Sequence, residues 1–211
     1  MSDRPALAAP ATRPVSVRRL LKAALVGICL LLVSPLVLAA WLEKSCGRSE
    51  EVFVGCAQLL ALVPGLPGVL LRAAYYFATL PGCSWETRIG FGSHLTHRGA
   101  RLAARVSMGS FCVIGHAVIG EDVMMASRVS IPSGKRQHLD EEGRLSAAPR
   151  FDTVVIGGHT WIGEGAIILA DVGGSSIVSA GAVVIKEMPG SSLIGGNPAK
   201  VIRAIDWNER A

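Results

Sequence analysis

Residues 156–168 read Ile156-Gly157-Gly158-His159-Thr160-Trp161-Ile162-Gly163-Glu164-Gly165-Ala166-Ile167-Ile168. Isoleucine recurs at every sixth position, and glycine directly follows the first two of these isoleucines. A period of six fits neither the 3.6-residue repeat of an α-helix nor the two-residue alternation of a strand meander. It is typical of a solenoid of short strands and tight corners, in which aliphatic side chains point inward and stack from coil to coil.

The same period is present in other parts of the C-terminal half. Ile119, Met125 and Ile131 are again six residues apart. The interval from Ile114 to Ile119 is only five residues, and the segment 172–178 also departs from the repeat. These slips indicate shortened or offset corners in the predicted solenoid.

A three-sided coil of such repeats takes about 18 residues, so residues 89–185 supply roughly four coils once the interrupting segment 132–152 is removed. A single coil cannot bury its own hydrophobic face, and stacking of coils therefore supplies the core. The composition agrees with this prediction. The chain has 24 glycines but only 5% aromatic residues, which suits thin, stacked β structure better than a bulky mixed core.

The N-terminal third has a different character. A basic tail, residues 1–19, precedes an apolar run at residues 20–42. At about 1.5 Å per residue this run can cross a hydrocarbon core of about 30 Å. Trp41 suits the headgroup level, and the positive mean hydropathy of +0.44 favours membrane contact. A secretory signal peptide ending near Ala40 is the alternative.

A second apolar run, residues 52–71, contains Pro64 and Pro67 and is not expected to form one straight helix. We expect a kinked span or a re-entrant, interfacial segment, so that residues 20–80 form a membrane anchor. The alternative is a surface helix packed on the C-terminal domain, which we place at residues 84–211. Basic residues before the first run, with two crossings or a re-entrant loop, predict a domain at the inner membrane that faces the cytoplasm.

Three segments resemble the hexapeptide-repeat acetyltransferases, a family that includes galactoside, maltose and streptogramin acetyltransferases and many polysaccharide O-acetyltransferases. They are Ile156 to Gly163, Ser179-Ala180-Gly181-Ala182-Val183-Val184, and Gly195-Gly196-Asn197-Pro198-Ala199-Lys200-Val201-Ile202-Arg203. The resemblance covers about residues 89–205. It implies a left-handed parallel β-helix, a homotrimer with active sites between subunits, and transfer of an acetyl group from acetyl-CoA to a saccharide hydroxyl. We expect a short helix after Pro198.

The repeat is interrupted by a polar, charged loop at residues 132–152. Long insertions in a regular solenoid are often functional. In the resembling family a loop at this point carries the catalytic histidine, and His138 precedes Trp161 by 23 residues, close to the family's spacing. A neutral imidazole can take the proton of a hydroxyl that attacks a thioester. The alternative for His138 is a solvated loop histidine.

The remaining histidines carry weaker predictions. His159 and His116 fall at repeat corners, where exposed, idle side chains are expected. His94 and His97 lie at the entry to the solenoid and are interpreted as structural. At the position of Glu164 the family often has a small polar residue. The contact that such a residue makes to the oxyanion of the reaction is therefore not expected from Glu164.

For the donor, the resemblance maps five residues onto positions that line the CoA groove of the sugar acetyltransferases: Ala180, Ile185, Lys186, Lys200 and Arg203. The three cations suit the phosphates of CoA. Alanine at 180 would let the pantetheine arm approach the backbone, and Ile185 stands where the family often has threonine. The alternative for Lys200 and Arg203 is a solvated helix.

Charge and cysteine content restrict other functions. The net charge of +5 fits anionic lipid headgroups, but the basic stripe with interleaved aromatics that nucleic-acid binding needs is missing. The five cysteines include no CxxC pair and are expected to be free thiols in a reducing compartment. No metal is expected. Two alternatives stay open: a non-catalytic membrane scaffold, and a γ-type carbonic anhydrase, which would need three histidines around a metal.

Overall fold

The computed structural model describes residues 17–47, 49–134, 138, 144–146 and 151–207. Three helices come first, α1 (Val17–Cys46), α2 (Glu51–Ala61) and α3 (Gly65–Thr79). Short strands follow and form three walls. Wall A consists of β1 (Gly82–Cys83), β4 (Arg101–Leu102), β7 (Ala117–Ile119) and β10 (Val154–Ile156). Wall B consists of β2 (Arg88–Ile89), β5 (Ser107–Met108), β8 (Met124–Met125), β11 (Trp161–Ile162), β13 (Ile177–Val178), β15 (Ser192–Gly196) and β16 (Ala199–Ala204). Wall C consists of β3 (His94–Leu95), β6 (Val113–Ile114), β9 (Ser130–Ile131), β12 (Ile167–Ile168) and β14 (Val183–Val184).

The chain winds around these walls in the order A, B, C and makes about six coils. Each strand pairs in parallel with the strand one coil later, as Trp161 pairs with Ile177. The predicted β-helix is confirmed, with more coils than the rough count of four. The count was low because the first coil begins at Gly82, before the regular repeat, and a last coil closes with β15.

The six-residue period marks the inward positions of the walls. Ile119, Ile156, Ile162 and Ile168 are each at most 1% exposed. Equivalent residues pair from coil to coil, so the core is a continuous column of aliphatic side chains. Fully burying one such side chain stabilises the fold by about 1.5–3 kcal/mol. The five-residue interval before Ile119 reflects a corner between walls C and A that is only two residues long.

Glycine is required where the coils touch at a corner. A Cβ added at Gly157 would lie 2.2 Å from the backbone nitrogen of Gly174, and one added at Gly173 would lie 2.2 Å from that of Gly190. No side chain fits at such a distance, so these glycines set the spacing of the corners between walls A and B.

Helices α2 and α3 cover the open end of the first coil. The hydroxyl of Tyr76 accepts a hydrogen bond of 2.8 Å from the amide of Leu95, and Arg72 Nε donates to the carbonyl of Ile89 at 2.9 Å. These contacts satisfy backbone groups that the first coil would otherwise leave unpaired. The break expected near Pro64 separates α2 from α3. Residues 52–80 pack on the solenoid, which corresponds to the alternative of a surface helix packed on the C-terminal domain and not to a second membrane crossing.

Helix α1 packs along α3 through one face, on which Val26, Val33 and Ala40 are buried. Its opposite face exposes Leu31 and Leu38. Residues 24–46 are long and apolar enough to cross a membrane, by length and composition alone. A signal sequence or a core helix of a soluble protein would have the same properties.

The expected short C-terminal helix is wrong for residues 199–204, which form β16 and pair antiparallel with β15. The β-branched residues Val201 and Ile202 favour a strand. The pairing also protects the last strand of wall B, which would otherwise be an open edge. The turn between the strands is formed by Asn197 and Pro198.

Candidate functional site

The loop that interrupts the solenoid leaves after β9 and returns before β10 through a narrow neck. The amide of Asp152 donates to the carbonyl of Ser133 at 2.9 Å, and the amide of Gly134 donates to the carbonyl of Pro132 at 2.8 Å. Gly134 has φ of +83°, and a Cβ there would lie 2.6 Å from that of Asp152. The neck therefore depends on glycine at this position.

His138 lies on this loop with an exposed side chain. Its carbonyl oxygen accepts a hydrogen bond of 2.9 Å from the amide of Ser146. Residues 135–137 and 139–143, which flank it in the sequence, are outside the described part of the chain. The exposed imidazole is accessible to solvent and to a neighbouring molecule.

His116 makes hydrogen bonds to the neck, although we expected an exposed side chain without contacts at this corner. Its Nδ1 lies 2.8 Å from the hydroxyl of Thr153, and its amide donates to the Ser133 hydroxyl at 2.8 Å. A Cβ at Gly99 would lie 2.3 Å from His116 Nε2, so glycine in the preceding coil makes room for the ring. His116 thus binds both sides of the neck.

His97 joins the helical region to the loop. Its Nδ1 lies 2.7 Å from Oε2 of Glu50, and Glu50 Oε1 accepts a hydrogen bond of 3.0 Å from the amide of Arg98. The ring of His97 lies 4.2 Å from that of Phe151, at the return of the loop. Burial raises the pKa of Glu50, but the hydrogen bonds from His97 and Arg98 outweigh it and leave this pKa below its ordinary value.

A small pocket opens beside these residues. Its volume is about 190 Å³. It is lined by Thr96 and His97, by Val113 and Ser130, and by Pro132 and Ser133 of the neck. Sites for drug-sized ligands usually measure about 300–1,000 Å³, so this pocket can hold one part of a larger ligand. Sequence reasoning missed it because Glu50 and His97 are far apart in the sequence and follow no repeat.

The residues expected at the CoA groove lie on the fifth and sixth coils. Ala180 is exposed at the corner between β13 and β14 and packs closely on Gly163, where a Cβ would lie 2.4 Å from the Ala180 nitrogen. Ile185 and Lys186 directly follow β14; Ile185 is half-buried and Lys186 is exposed. His138, in contrast, lies on the loop between the third and fourth coils.

Lys200 and Arg203 are exposed on β16 and not on a helix. The register places Lys200 opposite Gly195 and Arg203 opposite Leu193. Gly195 and Leu193 are two residues apart on β15 and face the same side, so a bulge in β16 brings both cations to one face of the hairpin. This relationship could not be predicted from a helical interpretation.

The corner between walls A and B carries charges that pair with one another. Arg105 donates to Asp122 at 2.6 Å and to Glu121 at 3.0 Å, and these hydrogen bonds raise the pKa of Arg105. His159 lies 3.6 Å from Asp122 and is exposed. His159 therefore belongs to a different corner from the loop that carries His138.

Glu164 accepts a hydrogen bond from Arg128, at the corner between walls B and C. Its carbonyl also accepts from the amide of Gly181, next to Ala180, at 2.8 Å. Among the described residues, no group of three His, Cys, Asp or Glu side chains is arranged to hold a metal ion.

Comparison with solved structures gives clear fold matches. A maltose O-acetyltransferase from Clostridium difficile 630 superposes with a TM-score of 0.54 at 22% identity, over 74% of this chain and 87% of that one. A galactoside acetyltransferase in complex with coenzyme A gives 0.54 at 18% identity, over 76% and 83%. An N-acyltransferase from Bacillus cereus in complex with dTDP and coenzyme A gives 0.51 at 16% identity, over 59% and 73%. No protein-family model and no curated protein matches the sequence.

The chain has the left-handed β-helix fold of the hexapeptide-repeat acetyltransferases. At identities of 16–22% the likeness establishes this fold. It agrees with the resemblance carried by residues 156–163, which lie on β10, β11 and the corner between them. In this chain three helices precede the first coil, and a loop lies between the third and fourth coils.

Proposed function

We propose that this protein is an acetyl-CoA-dependent O-acetyltransferase that modifies a saccharide of the cell envelope or an exopolysaccharide. The observation that carries the proposal is a hexapeptide-repeat β-helix whose winding is interrupted by the loop that presents the exposed His138. The fold matches include a maltose O-acetyltransferase and a galactoside acetyltransferase with bound coenzyme A. Both support acyl transfer to a sugar.

In the proposed reaction His138 acts as the general base. Its neutral imidazole removes the proton of the acceptor hydroxyl while the oxygen attacks the thioester carbonyl carbon, which forms a new C–O bond. The tetrahedral intermediate then collapses, the C–S bond breaks, and CoA leaves as the thiol after it receives that proton. The products are an acetyl ester and free CoA.

The acetyl donor is proposed to bind along the last two coils. Lys186, Lys200 and Arg203 are exposed cations that suit the phosphates of CoA. The small side chain of Ala180 leaves the backbone corner open to the pantetheine arm. Ile185 offers its main chain to the donor in the same region, as the resemblance implies.

The acceptor atom is proposed to be a hydroxyl oxygen, although the fold also occurs in an N-acyltransferase. An ester and an amide are easily distinguished, because alkaline hydroxylamine cleaves the ester to a hydroxamate and leaves the amide intact. Products of the acetyl-transfer reaction should therefore lose their label after hydroxylamine treatment. Retention of the label would indicate transfer to an amine.

We propose a homotrimer with active sites between subunits. The outward face of wall B carries a ladder of apolar side chains, Met124, Trp161, Ile177 and Leu193, each paired with the next across neighbouring strands. Met124 is 55% and Trp161 is 45% exposed in the single chain. An assembly that covers this ladder would remove apolar surface from water. Native mass spectrometry tests the stoichiometry, and a monomer at micromolar concentration would contradict it.

Attachment to the inner membrane, with the β-helix in the cytoplasm where acetyl-CoA is present, is proposed to occur through α1. Leu31 and Leu38 lie on its exposed face, opposite the face that packs on α3. A crossing by α1 would draw α3 and the paired Glu43 and Arg98 toward the hydrocarbon region, at high cost. We therefore propose that α1 lies along the membrane surface and contacts lipid with this face.

Flotation with vesicles of anionic phospholipid tests the attachment. Wild-type protein should float with the vesicles, and a variant with Leu31→Ser and Leu38→Ser should not. A matched variant with Leu145→Ser and Phe111→Ser, both exposed on the β-helix side, should float like the wild type. Equal flotation of all three proteins would contradict attachment through α1.

The decisive experiment is an acetyl-CoA turnover assay with a panel of envelope glycans and simple glycosides. Acceptor-dependent release of CoA, absent in His138→Ala, would support the proposal. Absence of both CoA binding and turnover would favour the non-catalytic membrane scaffold. Stoichiometric zinc with carbon dioxide hydration would favour the carbonic anhydrase alternative.

A further inference from the structure

We propose that His97, held by Glu50, binds a hydroxyl group of the acceptor in the pocket under the loop neck. The inference rests on the proposed function, because it names a residue of the acceptor site for a saccharide. The sequence predicts a structural role for His97, but the structure places this residue at the edge of the pocket.

His97 lies beside the pocket, close to the point where the loop returns. It is one of the residues that line the pocket, and its side chain is 17% exposed. The ring packs against Phe151, at 4.2 Å between centroids, where the loop returns to the solenoid. His97 thus lies at the same opening as the loop that carries His138.

The two ring nitrogens of His97 have different roles in hydrogen bonding. Nδ1 is bound to Glu50 Oε2 at 2.7 Å. Glu50 is a carboxylate, because its hydrogen bonds keep its pKa low, and a carboxylate can only accept a hydrogen bond. Nδ1 therefore carries the hydrogen, and in the neutral ring Nε2 is an acceptor. An oriented acceptor nitrogen beside a pocket suits the hydroxyl of a ligand.

The lining of the pocket combines hydroxyl groups with apolar surface. Thr96, Ser130 and Ser133 contribute hydroxyl groups, while Val113 and Pro132 contribute apolar surface. The combination suits a sugar ring, which presents hydroxyl groups at its edge and C–H groups on its faces. Two of the protein hydroxyls also support the structure, since Thr96 donates to the carbonyl of Ile114 and Ser133 accepts from the amide of His116.

Glu50 comes from the helical region of the chain. It lies just before α2, in the connection from α1, and it also binds the amide of Arg98 in the first coil. The helical region therefore supplies the group that orients His97. This arrangement gives residues 17–79 a second use besides covering the β-helix.

Two variants separate binding from structural support. In His97→Asn the short amide can still donate to Glu50 from the position of Nδ1, but nothing remains at the position of Nε2. In His97→Gln the longer side chain brings an amide to the position of Nε2. A binding role predicts that the KM for the acceptor glycoside rises about three- to tenfold in His97→Asn, the loss of one hydrogen bond, and that His97→Gln recovers part of it.

In both variants the KM for acetyl-CoA should change little, and the melting temperature of His97→Asn, which keeps a donor to Glu50, should stay close to that of the wild type. His159→Asn, at the other corner, serves as the matched control and should behave like the wild type. A purely structural role predicts the opposite order: His97→Asn keeps the acceptor KM of the wild type, and His97→Gln raises it. That order, or an unchanged acceptor KM in His97→Asn, would overturn the inference.

A binding measurement separates this inference from the proposed function. Protein labelled with ¹³C at histidine Cε1 is titrated with the methyl glycosides of glucose, galactose and N-acetylglucosamine at millimolar concentration, and the His97 signal is assigned with His97→Asn. A shift of that signal without any acetyl transfer would support a saccharide site and contradict the acetyltransferase. Acetyl transfer with a constant His97 signal would overturn the inference alone. Absence of both would overturn the two proposals together.

Discussion

Glu43 of α1 and Arg98 of the first coil form a buried ion pair, with Oε2 and Nη2 2.6 Å apart and side chains that are 8% and 10% exposed. The same carboxylate accepts hydrogen bonds from the amides of Val52 at 2.7 Å and Phe53 at 3.0 Å, in the first turn of α2. A single side chain therefore connects α1, α2 and the β-helix.

Removal of this carboxylate should destabilise the protein strongly. Glu43→Ala would leave Arg98 buried without its partner and two amides of α2 unsatisfied. We expect the free energy of unfolding to fall by about 3–5 kcal/mol, as for other broken buried pairs. Urea unfolding measures the change. Glu51→Ala is the control, because Glu51 is an exposed residue in the first turn of α2 and its loss should cost under about 1 kcal/mol. Similar losses in the two variants would contradict the role of Glu43.

The same carboxylate predicts sensitivity to acid. Burial raises the pKa of Glu43, but the hydrogen bonds from Val52, Phe53 and Arg98 outweigh it, so the folded-state pKa is below the ordinary value. The unfolded value is about 4.3, so the stabilisation is complete above that pH and is lost as the pH falls through the folded-state pKa. The melting temperature of the wild type should therefore fall steeply below about pH 4. The melting temperature of Glu43→Gln should be lower than that of the wild type at neutral pH and should fall less on acidification.

The parts of the fold that repeat could be predicted from sequence, because periodicity reports which side chains face inward. Ile156, Ile162 and Ile168 are six apart and all buried, and the loop at 132–152 is visible as a gap in the repeat. The C-terminal strand could not be predicted in this way, because Lys200 and Arg203 take their conformation from pairing with β15.

In the candidate site, too, sequence reasoning reached the features that relate to the repeat and missed those that do not. His138 could be proposed from the sequence because the loop interrupts a regular pattern and because the resemblance places a catalytic histidine there. His97 was missed because its partner Glu50 lies outside the repeat, in a connection between helices, and only the folded chain brings them to 2.7 Å. His116 was underestimated, since hydrogen bonds to Thr153 and Ser133 at a loop neck have no signature in the sequence.

Two glycine-to-alanine changes should have opposite effects on stability, because one glycine lies where two coils touch and the other has open space around it. Gly157→Ala would place a Cβ 2.2 Å from the backbone of Gly174, which cannot move without shifting the next coil. We expect a loss of about 1–3 kcal/mol or more. Gly55→Ala lies within α2 with open space around it, so it should stabilise the protein by about 0.5–1 kcal/mol. Thermal unfolding followed by circular dichroism compares the two. A neutral Gly157→Ala would show that the corners are looser than the structure indicates.

Loss of the proposed base should affect the chemical step and leave donor binding unchanged. For His138→Ala we expect kcat to fall by about 10²- to 10⁴-fold, the usual contribution of general base catalysis. The Kd for CoA, measured by calorimetry, should stay within twofold of the wild type, or about 0.4 kcal/mol. His159→Ala is the control, since His159 lies at the corner between walls A and B beside Asp122. Full activity in His138→Ala would remove His138 from the mechanism.

The two cations on β16 should act together on the phosphates of the donor. Because the bulge places Lys200 and Arg203 on one face, each can contact the same anionic group, and we expect about a three- to tenfold increase in the Kd for CoA on replacing either with alanine. The effect should shrink at high salt, since both side chains are exposed. Dephospho-CoA, which lacks the 3′-phosphate, shows which phosphate is bound. If Lys200 and Arg203 contact the 3′-phosphate, the variants should bind dephospho-CoA as tightly as the wild type does. Arg101→Ala, an exposed cation on wall A, should leave the Kd unchanged. An equal loss in all three variants would indicate general attraction by the basic protein, and not a site on the hairpin.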